Sequence, residues 1–258
     1  MRDEKSQCNI IKMLEKNSSL NEKRKMTAIV LAAGKGSRMH REIPKQFIEV
    51  EGYPVLYYSL KAFQESSVDE IILVTGEDYV DYCVEDIVNR YNLTKVRSVI
   101  TGGAERYDSV YRGLIAASDS KYVLIHDGAR PCITQKIIVD SMEMVKKCEA
   151  CTVGVPVKDT IKVVDSNHMG VETPDRSTLW QIQTPQCFNR DLLLSCYDKM
   201  KQDKSAVITD DTMIVERYSN VQAKVIMGAY ENIKITTPED LKISSIFLKK
   251  DVDTKMVK

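Results

Sequence analysis

No charge of either sign prevails in this chain: 37 Lys and Arg are offset by 37 Asp and Glu among 258 residues. Such a balance lacks the basic field that holds nucleic acid or an acidic membrane surface, so an anionic ligand must be met by a local cluster. Long apolar runs are missing too. The longest, Ala28 to Ala33, spans six residues, against roughly 20 for a bilayer crossing, and no membrane partner is expected. Cysteine is sparse and odd in number: seven residues are scattered along the chain and no apolar signal segment precedes them. That pattern reads as reduced thiols in a cytoplasmic protein and argues against a disulfide framework. What is present, 43% hydrophobic and 29% charged residues, suits a globular chain able to bury a sizeable core.

Residues 1–25 alternate charge signs and end in Lys23, Arg24 and Lys25, which reads as a mobile extension in which a short helix over Cys8–Lys16 would bury little. From Thr27 onward, short β-branched runs alternate with segments of helical period, the rhythm of an α/β fold. Strands are expected at Thr27–Ala33, Glu70–Thr75, Val96–Thr101, Tyr122–His126 and Thr152–Val157. Between them Leu56, Leu60 and Phe63, and later Ile138, Met142 and Val145, recur at i, i+4, i+7 and give each helix one apolar stripe. The expectation is a Rossmann-like, mostly parallel sheet flanked by helices, a single domain over 26–258. An arm departs from that rhythm at about 158–183. There Asp159–Asp165 and Val171–Gln183 read as extended segments around a turn at Ser166–Gly170. Helices follow at Arg190–Asp203 and Asp211–Tyr218. A strand is expected at Asn232–Thr236, and then a helix opened by Thr237 as N-cap and Pro238.

The first strand runs into Leu31-Ala32-Ala33-Gly34-Lys35-Gly36-Ser37-Arg38-Met39, at the sheet edge where open α/β folds bind ligands. Small side chains there let backbone N–H groups approach a phosphate chain. A dinucleotide fingerprint would need a third glycine where Met39 stands, and a P-loop would need G-x-x-x-x-G-K-[ST], so neither template is met. Six residues past Arg38 begins Pro44-Lys45-Gln46-Phe47, with proline fixing the backbone before a lysine. Two cations flanking one glycine loop can hold a leaving pyrophosphate and the phosphorus under attack.

These two motifs resemble the sugar nucleotidyltransferase signature, and within it the 2-C-methyl-D-erythritol 4-phosphate cytidylyltransferase family. The match continues in order through Gly102–Val110, His126–Pro131, Pro156–Lys162, Asp175-Arg176, Gln183–Gln186, Thr209–Asp211 and Asn232–Lys234, covering about residues 26 to 248. The resemblance implies cytidylyl transfer from CTP to methylerythritol phosphate, with Arg38, Lys45 and Lys234 charging the reacting phosphates. Ala32, Ala33, Gly103 and Ser109 would form the cytosine pocket, Gly34 and Gly36 the phosphate loop, and Gly128 would stand beside the ribose, where the family usually has alanine. Asp127, Arg130, Thr184 and Thr209 would hold the polyol phosphate, joined by Thr160 and Arg176 from the arm of a second copy in a homodimer. Mg²⁺ would be carried mainly by the CTP phosphates and water, with no protein ligand named.

Blander readings stand beside these. Asp127 and Arg130 can be a structural ion pair, Thr209 an N-cap, His126 a packing residue, and Cys148-x-x-Cys151 a helix-to-strand junction in place of a zinc site. A ribitol 5-phosphate cytidylyltransferase and a catalytically inactive nucleotide-binding regulatory protein are the alternative functions.

Overall fold

The computed structural model describes residues 26–34, 43–203, 205 and 207–256. The extension at 1–25, with the helix expected in it, lies outside the described residues. The chain enters as β1 (Met26–Ala32), turns through a short hairpin of β2 (Glu49–Val50) and β3 (Tyr53–Pro54), and forms α1 (Val55–Gln64). There follow β4 (Glu70–Thr75), α2 (Val80–Tyr82) running on into a wide helical turn over Cys83–Asn89, β5 (Val96–Thr101), α3 (Arg106–Ala116), β6 (Tyr122–Asp127), α4 (Gln135–Cys148) and β7 (Ala150–Pro156). After the arm strands β8 (Val163–Val164) and β9 (Gly170–Glu172) come β10 (Trp180–Asn189), α5 (Arg190–Met200), α6 (Asp211–Tyr218), β11 (Lys224–Met227) and α7 (Pro238–Met256).

Seven strands form one sheet in the order β11-β7-β10-β6-β1-β4-β5. Only β10 runs antiparallel to its neighbours β6 and β7; the other pairs are parallel. A sheet covered on both faces needs strands that are apolar on both sides, and alternate residues here go to opposite layers. Ala28, Val30, Ile71, Leu73 and Leu124 join Leu56, Leu60, Phe63, Ile138 and Val145 from α1 and α4. Ile29, Ile72, Val74, Val123 and Ile125 join Val110, Leu114, Leu193 and Ile214 from α3, α5 and α6. Among the described residues no helix is long and apolar enough to cross a membrane.

Several boundaries differ from expectation. Residues 232–236 are not a strand: Asn232 is tied back to Ala229, and Ile235 donates its N–H to Ala129 O at 2.8 Å. Ile235 is buried with Val50, Val55, Cys132 and Leu248, so its apolar alternation serves a packed crossing over the end of β6. The edge strand is instead β11, four half-exposed residues too short to show a period. The arm is also shorter than its expected 158–183. Val157 N–H bonds Leu179 O, and Trp180, Gln181 and Ile182 already pair with Pro156, Val155 and Gly154. The excursion therefore occupies 157–179, and β10 is antiparallel because it returns directly from it. Helix α5 ends at Met200, three residues early, and α6 is capped by Asp210, whose carboxylate accepts from Met213 N–H, and not by Thr209.

Candidate active site

Strand β1 lies between β4 and β6, so connections leave it in both directions and open a crevice at the carboxyl ends, the usual ligand position of such sheets. A cavity of about 870 Å³ occupies this point, within the range of small-molecule sites. It is lined by the ends of β1, β4, β5 and β6, by the turn carrying Lys45, and by Lys234 and Thr236. Of the residues expected in the site, Ala32, Ala33, Gly34, Lys45, Gly103, Ser109, Asp127 and Lys234 all line it. Gly36 and Arg38 lie outside the described residues.

One wall is backbone. A Cβ on Gly102 would stand 2.6 Å from both Ala33 Cβ and Ser109 Oγ, and one on Gly103 would stand 2.2 Å from Asp108 Cβ. Only glycine allows β5 to turn into α3 this closely against β1. Ser109 Oγ accepts from Gly103 N–H at 3.1 Å and donates to Glu105 O at 3.3 Å. Outside the wall, Arg112 donates to Thr101 O and Gly102 O. The turn is held from both sides.

The floor is charged. Asp127, at the end of β6, receives Lys234 Nζ at 2.8 Å, Arg106 Nε at 3.5 Å and Arg130 Nε at 3.9 Å. Arg106 places its Nη1 2.8 Å from Asp211, a fully buried carboxylate that also accepts from Tyr197 Oη at 2.6 Å. Burial alone would raise the Asp127 carboxyl; Arg106, Lys234 and Arg130 overcome it and hold the group well below the usual carboxylate range. Burial would likewise lower Arg106, and Asp211 with Asp127 reverses that. Three cations, Arg106, Arg130 and Lys234, thus surround the carboxylates of Asp127 and Asp211, and the cluster at and behind the floor has one positive charge in excess, the sign suited to phosphate.

Several expected residues stand behind this surface. Arg130 does not line the cavity; its Nη1 donates to Asn232 O at 2.8 Å, which fixes the segment that carries Lys234. Thr184 sits on the bulge of β10 between Ile182 and Gln186. Its hydroxyl oxygen accepts from Asp127 N–H at 3.1 Å and lies 3.0 Å from His126 Nδ1. The backbone oxygen of Arg130 can only accept, so His126 Nε2, 3.3 Å away, bears the proton and Nδ1 accepts from Thr184. Burial lowers His126 to about 4, and with both ring nitrogens occupied it is the packing residue of the blander reading. Gly128 also faces inward: a Cβ there would meet Leu56 Cδ1 at 2.8 Å and Leu31 O at 3.0 Å. Its hydrogen makes room for the core, and Gly128 is not among the residues that line the cavity. Thr209 is exposed, with its hydroxyl on Met213 Sδ. Thr160 and Arg176 are exposed on the arm, where Arg176 Nη1 donates to Lys158 O. Cys148 ends α4 and Cys151 lies in β7; both are free thiols. Among the described residues no group of three or more His, Cys, Asp or Glu is gathered to hold a metal.

Among the cavity residues passed over in the sequence are Arg106 and Gln46. Arg106 lay inside the Gly102–Val110 motif, but nothing local marks a partnership with Asp211, far along the chain. Gln46 lay beside Lys45 and reads as a polar surface residue until its burial is seen.

The family model for 2-C-methyl-D-erythritol 4-phosphate cytidylyltransferase (IspD) matches residues 26–250. A protein of that name from Lachnospira eligens is 53% identical over 225 residues, covering 86% of this chain and 99% of the relative. One from Clostridium novyi is 48% identical, covering 87% and 96%. Among solved structures, the 4-diphosphocytidyl-2C-methyl-D-erythritol synthase of Anaerococcus prevotii superposes with a TM-score of 0.78 at 34% identity, covering 88% of this chain and 96% of that one.

Proposed function

The chain belongs to the 2-C-methyl-D-erythritol 4-phosphate cytidylyltransferase family, and from that premise we propose that it transfers the cytidylyl group of CTP to 2-C-methyl-D-erythritol 4-phosphate in non-mevalonate isoprenoid precursor synthesis. A phosphate oxygen of the acceptor attacks the α-phosphorus in line, the bond to the β-phosphate breaks, and pyrophosphate leaves. The attacking oxygen is already ionised, so no general base is required and catalysis reduces to positioning and charge neutralisation. The observation that carries this reading is the cavity itself, with a glycine wall able to admit a flat base on one side and the Lys234–Asp127–Arg106 floor on the other.

Lys45 and Lys234 supply positive charge to the reacting phosphates, and Arg38 is assigned the same task by its place in the motif. Asp127 fixes the Lys234 ammonium and offers an acceptor to a sugar or polyol hydroxyl. Arg130 and Thr184 act one step back, holding Asn232 and the Asp127 backbone. Magnesium, when bound to the triphosphate, neutralises the leaving pyrophosphate; Glu77 and Asp78, exposed on the cavity rim, are oxygen donors of the kind it meets directly or through water.

The arm leaves Ile161, Val163, Val164, Met169 and Val171 exposed, more apolar surface than an isolated hairpin of its size can cover. A two-fold partner would cover it and would bring Thr160 and Arg176 to the neighbouring cavity as acceptor-binding groups.

The test is pyrophosphate release with Mg²⁺ and each of CTP, UTP and ATP, against methylerythritol phosphate and ribitol phosphate. Release with CTP and methylerythritol phosphate alone is expected; release only with ribitol phosphate, or with none, overturns the reading. Lys45→Ala should lower turnover about 10²-fold or more.

A further inference from the structure

Lys45, Gln46 and Phe47 form one turn of 3₁₀ helix after Pro44. With three residues per turn, successive side chains leave such a turn about 120° apart, and here they take three separate destinations. Lys45 lines the cavity. Phe47 is buried against Tyr79 and Tyr82, with ring centroids 4.9 and 5.1 Å away. Gln46 is 3% exposed and turns toward β1, where its Nε2 donates to Ala32 O at 2.5 Å and to Gly34 O at 3.2 Å. These carbonyls bracket Ala33 at the start of the glycine loop. Only the NH₂ end of an amide meets two acceptors at once, so no other uncharged side chain of this length serves.

We propose that Gln46 is a positioning residue for the transfer reaction: its amide staples the Lys45 turn to the end of β1 and sets the lysine ammonium at a fixed place relative to that strand end and the reacting phosphates. The assignment rests on the functional reading above, since it takes Lys45 as the group being placed. The aromatic pair holds the far side of the turn, and Gln46 is the polar link between the turn and β1. A misplacement of about 1 Å at a reacting phosphate is enough to cost 10²-fold in rate.

The test is a double-mutant cycle in the full chain. Gln46→Met keeps the length without the donors, and Gln46→Glu sets a carboxylate against the two carbonyls. Each is measured alone and combined with Lys45→Ala for kcat, for KM of CTP and for the thermal melt. Each Gln46 variant is expected to lose about 10²-fold in kcat while melting cooperatively, and to cost less than about threefold more when Lys45 is already alanine. Additive losses, a wild-type kcat in Gln46→Met, or failure of both variants to melt cooperatively would assign the amide to the fold alone and overturn the proposal. If the unmodified protein releases no pyrophosphate with any nucleotide, the functional reading fails instead. The same cycle is then read on the affinity for inorganic pyrophosphate by calorimetry, where non-additive losses sustain the staple and additive losses overturn it.

Discussion

The floor of the cavity and the arm are both rich in polar groups, and they are built in opposite ways. On the floor and just behind it, the charged side chains are held by partners from distant parts of the chain: Asp127 by Arg106 and Lys234, Arg106 by Asp211, Arg130 by Asn232. On the arm, the partners are close in sequence and exposed, as with Asp175 accepting from Ser177 N–H and Oγ, or Lys162 donating to Thr173. The arm's apolar side chains face outward. The floor is complete within one chain and preorganised for charge. The arm leaves its apolar side chains uncovered within the chain, and a second copy is what the proposal supplies for them.

The harshest way to break this contrast is to remove Asp127. Asp127→Ala leaves three cations around an empty centre and should destabilise the fold by about 3–5 kcal/mol in urea titration, whereas Asp175→Ala on the arm should leave the urea midpoint near wild type. Equal shifts would mean that the floor is no more tightly built than the hairpin.

Next in size is a pH effect confined to the layer beneath the floor. The unfolded chain protonates His126 near its ordinary 6.5, while the folded chain resists until about 4. The stabilisation is therefore fully present above pH 6.5 and is lost as pH falls from 6.5 toward 4, by roughly 3 kcal/mol at most. Melting curves between pH 7 and 5 should decline in the unmodified protein and flatten in His126→Gln. An unchanged slope in that variant would contradict the assignment.

A smaller effect probes Gly128, whose added methyl would press on Leu56 and Leu31 O. Gly128→Ala should cost about 1–3 kcal/mol, partly recovered by Leu56→Val. Unchanged urea stability would show that the neighbours give way freely. The least effect on the fold is expected from Val171→Lys. It should leave the melt of the dilute protein near wild type yet shift sedimentation toward a single chain; an unaltered sedimentation profile would remove Val171 from any contact between copies.

The sheet was legible because its strands are apolar on both faces and separated by striped helices, which local pattern alone reports. The glycine wall and Lys45 were legible because glycine permits a close backbone approach that other residues forbid and proline fixes the backbone before the lysine. What local pattern misses is which side of an edge a residue faces. Arg130 and Thr184 sit beside Asp127, yet they turn to Asn232 and His126, whose proximity depends on chain far away in sequence. Ile233 and Ile235 imitate a strand because a packed crossing also alternates. Lys234, which the resemblance places at the reacting phosphates, lines the cavity although its strand does not exist, because its ammonium reaches Asp127 from the packed crossing anchored by buried Ile235. The base of the arm was misplaced for a related reason: Trp180 to Ile182 are extended in both readings, and only their pairing with β7 shows where the sheet resumes.

The proposed division of labour, a floor from one chain completed by an arm from another, is tested most directly by mixing two inactive variants. Lys45→Ala damages the cavity and leaves the arm intact; Arg176→Ala does the reverse. Refolded together in equal amounts, they should recover about a quarter of wild-type pyrophosphate release, because half of the two-fold pairs are hybrids and each hybrid holds one intact site. Activity no higher than the mean of the two separate variants would show that Arg176 does not serve a neighbouring cavity, and would contradict the account.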